Sequence, residues 1–462
     1  MIAIVSASST SFQHQLLIDK SANRHQNETP SCAVNSFSRF VRDVIRAAAI
    51  AALSAVPLVA QLKQSTLVTT PVMPNTRVEA GVKVLQHDRT AFARATQLEL
   101  AGAPLTVIGG ADGDVEHDLT WAQYVAVLSD GRVATLAAVG NKYYVFGADG
   151  QYQRTLGRQG KGPGEFTRPS GNILLAGDTL LIADDANLQF SWFHPDKGFV
   201  RARARGVEGR LRMEHVVGAL PAGRVVLSAA GLVQAGELNK IVRPAAPVSI
   251  LSFERGVHSL VELPDLELVK FNVTRRGQSR PETRIRRFTT QAVVAVWDSS
   301  VVTGTGDRYE FDVRNAAGAV TSRIAVSTPR IAVTRDMRAA SIDRTMRRYR
   351  NSKGEGGLTL NLDEIEKIER DTPVADSLPA YGQFFTTPNK TLWVVDAVAP
   401  NATEWTATAF RNDGAIVGRL HVLGEGVPLA FGNDRVVIRT EDADGVVTLT
   451  VRQIGVTTAK KP

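Results

Sequence analysis

The sequence predicts an all-β chain: a six-bladed β-propeller of four-stranded antiparallel blades. Three observations predict it. The first is a tight turn between short apolar runs, which recurs at Asp130-Gly131, Gly177-Asp178, Ala222-Gly223, Asp298-Ser299, Pro388-Asn389 and Asn433-Asp434. Such residues supply hairpin turns, and the flanking β-formers supply strands. Positions 131, 177 and 223 lie 46 residues apart and 389 to 433 is 44, a period in the range of a propeller blade. The second is an aromatic residue followed within a few residues by a turn glycine: Phe146 and Gly150, Phe193 and Gly198, Phe253 and Gly256, Phe311 and Gly318, Phe410 and Gly414. A further apolar run follows each glycine, so each unit holds four strands in meander order. The third is a mismatch of ends. The sixth unit stops one strand short, and residues 104–109 parallel the outer strand of the first unit at 153–157. The N-terminal strand at 105–108 is therefore expected to pair with 446–451 and close the ring, which removes exposed sheet edges.

Taken in order, the chain of 462 residues starts with a polar leader. Arg39, Arg42 and Arg46 then precede a mostly apolar run at 47–60. That is the charge and length pattern of a signal peptide, and it is short for a membrane span. The reading is therefore a leader and signal over 1–60, with export to the periplasm or the exterior. Membrane contact is expected through the signal alone. Cys32 is the one cysteine, which excludes an intramolecular disulfide framework. Residues 61–92 read as a linker, 93–455 as the propeller and 456–462 as a tail. Net charge is +8, and the leader and signal carry +2 of it. The basic balance weakly favours anionic partners.

Two spacings exceed the period. Between blades three and four the excess carries an arginine cluster at 264–290: Arg275, Arg276, Arg280, Arg284, Arg286 and Arg287. Between blades four and five the excess, at 334–377, is helical. Residues 335–350 are rich in Ala, Met and Arg behind Thr334, a candidate N-cap. Asn361 with Glu364 three residues later forms a capping-box-like start for a helix over 363–370.

Residues 145–193 carry a denser pattern. It runs from Val145 through Phe146 and Gly150, through the glycine-rich stretch from Leu156 to Phe166, to Leu180, Ile182 and Asp184. This resembles the NHL repeat, and is most similar to exported bacterial six-bladed propellers related to it. Thr391 to Asp396 and Phe410 to Gly414 echo the pattern later in the chain, whereas blade four has Gly304 where blades two and five have Asp184 and Asp396. The resemblance implies fold and export more than chemistry.

No motif assigns a catalytic residue. The glycine-rich stretch at 157–164 lacks the lysine followed by Ser or Thr of a phosphate loop and reads as an inter-blade turn. Asp112, Asp114 and Asp118 alternate without the glycine and distal glutamate of a calcium loop. His117, His194, His215, His258 and His421 are scattered, without zinc-site spacing. No metal or cofactor is expected, and nucleic-acid binding is not expected without an aromatic-basic stripe. Arg201, Arg203 and Arg205 alternate as the outward face of an outer strand would. Asp184 and Asp396 end second strands, where they either cap the turn or face a ligand near the channel mouth. Arginine forks suit carboxylate, sulfate and phosphate, so Arg276, Arg286 and Arg287, with Asp184 and Asp396, are the candidate ligand-binding residues. The expected function is a binding or interaction module for an anionic ligand, glycan or protein. The alternative is an extracytoplasmic lyase or hydrolase acting on a sugar acid, lactone or peptide.

Overall fold

The computed structural model describes residues 69–109, 119, 122–136, 141–205, 214–231, 237–275, 277–351, 361–424, 426–442 and 445–457. The leader and signal at 1–60, Arg276, and the triplet Asp112, Asp114 and Asp118 lie outside the described residues. The described chain is mostly β-sheet.

Inside the stretch read as linker, strands β1 (Asn75–Glu79) and β2 (Val82–His87) form a hairpin. A one-turn helix α1 (Ala91–Arg94) leads into the long strand β3 (Gln97–Gly109). Four-stranded antiparallel meanders follow. The first contains β4 (Val125–Val127), β5 (Val133–Leu136), β6 (Tyr143–Phe146) and β7 (Tyr152–Leu156). The glycine-rich stretch after it forms a tight turn closed by the short parallel pair β8 (Arg158–Gln159) and β9 (Glu165–Phe166). Gly157 sits there at φ +72, and a Cβ on it would meet the Phe166 ring at 2.3 Å, so both backbone and space require glycine.

The next meander is β10 (Pro169–Leu174), β11 (Leu180–Asp184), β12 (Gln189–His194) and β13 (Gly198–Ala204). Then come β14 (Glu214–Leu220), β15 (Arg224–Ala229), β16 (Ile241–Val242), β17 (Ala245–Ser252) and β18 (Gly256–Pro264). Of these, β14, β15, β17 and β18 form a meander. The arginine-rich connection folds as a hairpin, β19 (Leu268–Arg275) and β20 (Gln278–Ile285), which β16 extends to three strands. Strands β21 (Val293–Trp297), β22 (Ser300–Gly304), β23 (Glu310–Arg314) and β24 (Val320–Val326) follow, and β2 adds to β24 in parallel, with Leu85 opposite Ile324. Helices α2 (Arg335–Asn351) and α3 (Leu362–Asp371) occupy the helical excess. Their caps match expectation: Thr334 Oγ1 accepts from the Met337 N–H at 3.2 Å, and Asn361 Oδ1 accepts from the Glu364 N–H at 3.2 Å. The last strands are β25 (Tyr381–Thr386), β26 (Leu392–Asp396), β27 (Glu404–Phe410), β28 (Ile416–Leu423), β29 (Val427–Phe431), β30 (Arg435–Glu441) and β31 (Val447–Val456).

The early strand reaches the late ones as the unmatched ends suggested. β3 pairs antiparallel with β31, placing Thr106 opposite Val451, Val107 opposite Thr450 and Ile108 opposite Leu449. Its first residues also run parallel to β28, with Leu98 opposite Leu420.

Apolar cores lie between successive meanders rather than within them. Ala134, Val145, Leu180 and Ile182 share one core; Leu181, Phe190, Val225 and Leu227 share the next; Val226, Ile250 and Val301 a third. Phe311, Tyr381, Phe384 and Phe410 join the strands from β21 to those from β25, and Trp393, Trp405, Val436 and Ile438 continue to the last strands. A further core joins Val437, Leu449 and Ile108 to Val133 and Tyr144, so the last strands pack on the first meander. First strands touch in the same order: β4 with β10, β10 with β14, β14 with β21, β21 with β25, β25 with β29, and β29 with β4.

The hairpin turns are stapled to each other at one end. Ser129 donates through its backbone N–H and its hydroxyl to Asp178, at 2.9 and 2.5 Å. The Trp297 indole donates to the Lys390 carbonyl at 2.8 Å, and the Asn389 N–H donates to Asn433 Oδ1 at 3.0 Å. Within each meander, the opposite end therefore carries the loop between second and third strands and the connection to the next meander.

Candidate functional site

That opposite end carries the sequence's candidate residues. Asp184 terminates β11 fully buried. Its carboxylate accepts from the backbone N–H groups of Thr167 (2.7 Å), Arg168 (3.2 Å), Ala186 (3.0 Å) and Asn187 (2.8 Å), and from Asn187 Nδ2 at 3.2 Å. It ties the loop after β11 to the turn before β10, which is the capping role. Asp396 ends β26 differently. It accepts from Arg419 Nη2 at 2.6 Å and from the Thr406 hydroxyl at 2.6 Å, and among the described residues it caps no backbone N–H.

Arg286 and Arg287 are half-buried at the base of the β19–β20 hairpin and already hold carboxylates of this chain. Arg286 donates to Glu267 Oε2 at 2.9 Å and to the Val374 carbonyl at 3.0 Å. Arg287 donates to the Ser341 hydroxyl at 2.9 Å and pairs with Glu369. Arg284 takes the other Glu369 oxygen at 2.6 Å. Glu369 is buried on α3, beside a small core of Val269, Phe271, Val273 and Ile368. Desolvation lowers the Arg287 pKa, opposed by the Glu369 charge. The two excess segments thus form one docked substructure. Arg276, the remaining candidate, lies outside the described residues.

A second group of polar side chains gathers around β14, and motif reading did not assemble it. Arg205 follows β13 and is buried, not outward-facing; only Arg201 and Arg203 of the alternating trio are exposed, lying over Trp192 and Phe253 at 4.3 and 4.9 Å. The Arg205 guanidinium lies 5.3 Å from the Phe190 ring centre. It donates to Asp185 Oδ1 at 2.5 Å and to the Glu214 backbone carbonyl at 2.7 Å. The Ser170 hydroxyl also donates to Asp185 Oδ1, at 2.7 Å. Arg205 therefore ties the loop after β11 to the first residue of β14, and so sets His215 relative to Asp185.

His215 is solvent-exposed, yet desolvation is the main influence lowering its pKa, partly offset by Asp185 and Asp265. Tyr124, just before β4, is half-buried, and its hydroxyl is pushed up to about 12 by desolvation and by the Asp185 charge. Glu214 is buried next to Arg205; desolvation raises its pKa more than Arg205 and Ser249 lower it. Asp265 is engaged by backbone, accepting from Gly231 and Ala292 N–H at 3.0 and 3.2 Å. These residues are more than 140 positions apart in extent, so only a sequence signal for loop position could have joined them.

Among the described residues, no group of three or more His, Cys, Asp or Glu side chains is placed to hold a metal ion. No helix among them is long and apolar enough to cross a membrane. A cavity of about 280 Å³ lies against the glycine-rich turn and Phe193 and Phe199, and none of the candidate residues lines it.

No family model matches the chain, and no curated relative does. Among solved structures, it is similar to a candidate exported protein of Bacteroides fragilis at 11% identity, covering 80% of this chain and 99% of that one, with TM-score 0.42. A member of the DUF4221 family from Bacteroides vulgatus shows 9% identity over 79% of this chain and 100% of that one, TM-score 0.45. Virginiamycin B lyase of Staphylococcus aureus shows 11% identity over 71% and 94%, TM-score 0.33.

Proposed function

We propose that the chain is an exported six-bladed β-propeller, related to the NHL-repeat propellers, that serves as a ligand- or protein-binding module. The cyclic order of first-strand contacts and the core joining the last strands to the first meander support the ring. The basic region and apolar run before residue 61 support export. N-terminal sequencing of protein recovered from cells should find a start near Gln61; a soluble cytoplasmic form that keeps residues 1–60 contradicts export.

One observation carries the binding reading. The β19–β20 hairpin and the α2–α3 pair leave different meanders, yet pack on each other through Phe271, Ile368 and the Arg284–Glu369–Arg287 triad. A closed ring needs neither segment for its own packing, so a joint superstructure at the loop end fits the wall of a binding site. An anionic ligand is the less favoured form of this reading, because Arg286 and Arg287 would have to release Glu267 and Glu369 to meet it. The enzyme alternative draws on His215 and Tyr124, two groups with displaced pKa values.

The test is removal of 335–375 with a short linker. The variant should keep its β-sheet circular dichroism and a cooperative melt. It should lose the thermal stabilisation that any hit from a screen of glycans and peptides gives the full chain. A variant that keeps that stabilisation contradicts a wall at this position.

A further inference from the structure

The N-terminal hairpin contains a strand that adds nothing to the core. In β2, Val84, Leu85 and His87 are buried, whereas all five residues of β1 are exposed, Val78 at 71%. Among the described residues, β1 pairs with β2 alone and stands at the edge of a six-stranded sheet. Such an edge presents backbone N–H and C=O groups ready to pair with another strand. Several other edges are covered or guarded. β2 lies along β24, and the start of β3 lies along β28. β13 exposes Arg201 and Arg203, and β20 contains Pro281; charge of one sign and proline both discourage strand addition. β1 has neither device. It runs in unbroken register with β2, without proline, lysine or bulge. Its two charges, Arg77 and Glu79, meet at 2.5 Å, so the strand carries no net charge to repel a second copy.

We propose that β1 pairs antiparallel with β1 of a second copy of this chain, about a two-fold axis at Val78. The order of residues in β1, Asn75-Thr76-Arg77-Val78-Glu79, is self-complementary in that register. Val78 faces the partner's Val78, and Arg77 faces the partner's Glu79 on both sides of the axis. Opposite charges directly across an antiparallel pair stabilise it, and like charges there destabilise it. A shift of the axis to Arg77 or to Glu79 sets like charges face to face, and a one-residue slip of pairing puts side chains on the wrong face. One register is therefore favoured. The contact is isologous, so it closes at two copies and joins the two six-stranded sheets through their edges. A pair of five-residue strands is a small interface, which makes the dimer weak and concentration-dependent. The proposal rests neither on ring closure nor on the helical superstructure.

The experiment is sedimentation velocity on the full chain after signal removal, from about 1 µM to about 1 mM. The wild type should move from monomer toward dimer across that range. Arg77→Glu and Glu79→Arg each set like charges opposite one another twice, and each should weaken self-association at least about 5-fold. An equimolar mixture of the two single variants restores opposite charges at both positions, and should dimerise like the wild type. The double variant Arg77→Glu, Glu79→Arg should do so as well. Recovery on mixing keeps a folding defect from imitating the result, because two misfolded chains would not recover together. A wild type that stays monomeric throughout overturns the proposal. So do single variants that associate as the wild type does, a mixture no stronger than its components, or growth beyond the dimer.

Discussion

Asp184 shows how much one side chain can organise. Five N–H groups converge on its carboxylate, four of them from backbone of two separate loops. Asp184→Ala strips the partners from several half-buried donors, and each such loss costs about 1–3 kcal/mol before relaxation. We expect Asp184→Ala to lower stability by about 2–4 kcal/mol, measured by urea unfolding, and Asp184→Asn to cost less. His87 gives a pH prediction. It is buried beside Gly414, with Nε2 2.8 Å from the Gly414 carbonyl oxygen, and desolvation lowers its pKa from 6.5. Its folded pKa lies below its unfolded one, so its contribution is fully present above 6.5 and is lost as pH falls through the lowered value. The stability difference between wild type and His87→Gln should therefore shrink as pH drops from 7 toward 4. A difference that stays constant over that range contradicts a buried neutral His87.

At the scale of elements, the turns and caps were readable because their chemistry is local. Asp298 and Ala222 adopt φ +57 and +62 in their hairpin turns, and Thr334 and Asn361 cap the helices from within three residues. What the sequence hid depends on distant partners. The β1–β2 hairpin looks like linker because all five residues of β1 are exposed, and only its pairing to β24 reveals it. Arg205 reads as one of three alternating arginines until Asp185 and Glu214 are brought beside it. The closing strand combines both cases: its sequence announced a strand, and pairing alone shows which residues matter. Ile108 is 1% exposed and Leu105 is 40% exposed. Ile108→Ala should cost about 2–4 kcal/mol, whereas Leu105→Ala should cost well under about 1 kcal/mol. Equal losses contradict the register. Glu369→Gln removes the charge that Arg284 and Arg287 share, which leaves the largely buried Arg287 unbalanced and Arg284 with only Glu282, at 4.0 Å. Hydrogen exchange along α3 should then accelerate while exchange in the β25–β28 strands stays unchanged. Faster exchange throughout would show that the triad supports the sheets as well.

For the whole molecule, the proposed ring depends on the pairing of β3 with β31. The unmatched ends made that pairing legible, whereas the polar group around β14 was not, because its members come from different meanders and share no motif. Val107 and Thr450 face each other across the closing pair, and directly opposite residues on antiparallel strands have Cα atoms about 4.5–5.5 Å apart, within disulfide reach. The most direct measurement is oxidation of the double variant Val107→Cys, Thr450→Cys, made with Cys32→Ser so that no other thiol competes. A closed ring predicts a monomeric, reducible species of faster gel mobility, with a melting temperature above that of its reduced form. Free thiols after oxidation, or disulfide-linked dimers in place of that species, would contradict closure between the first long strand and the last.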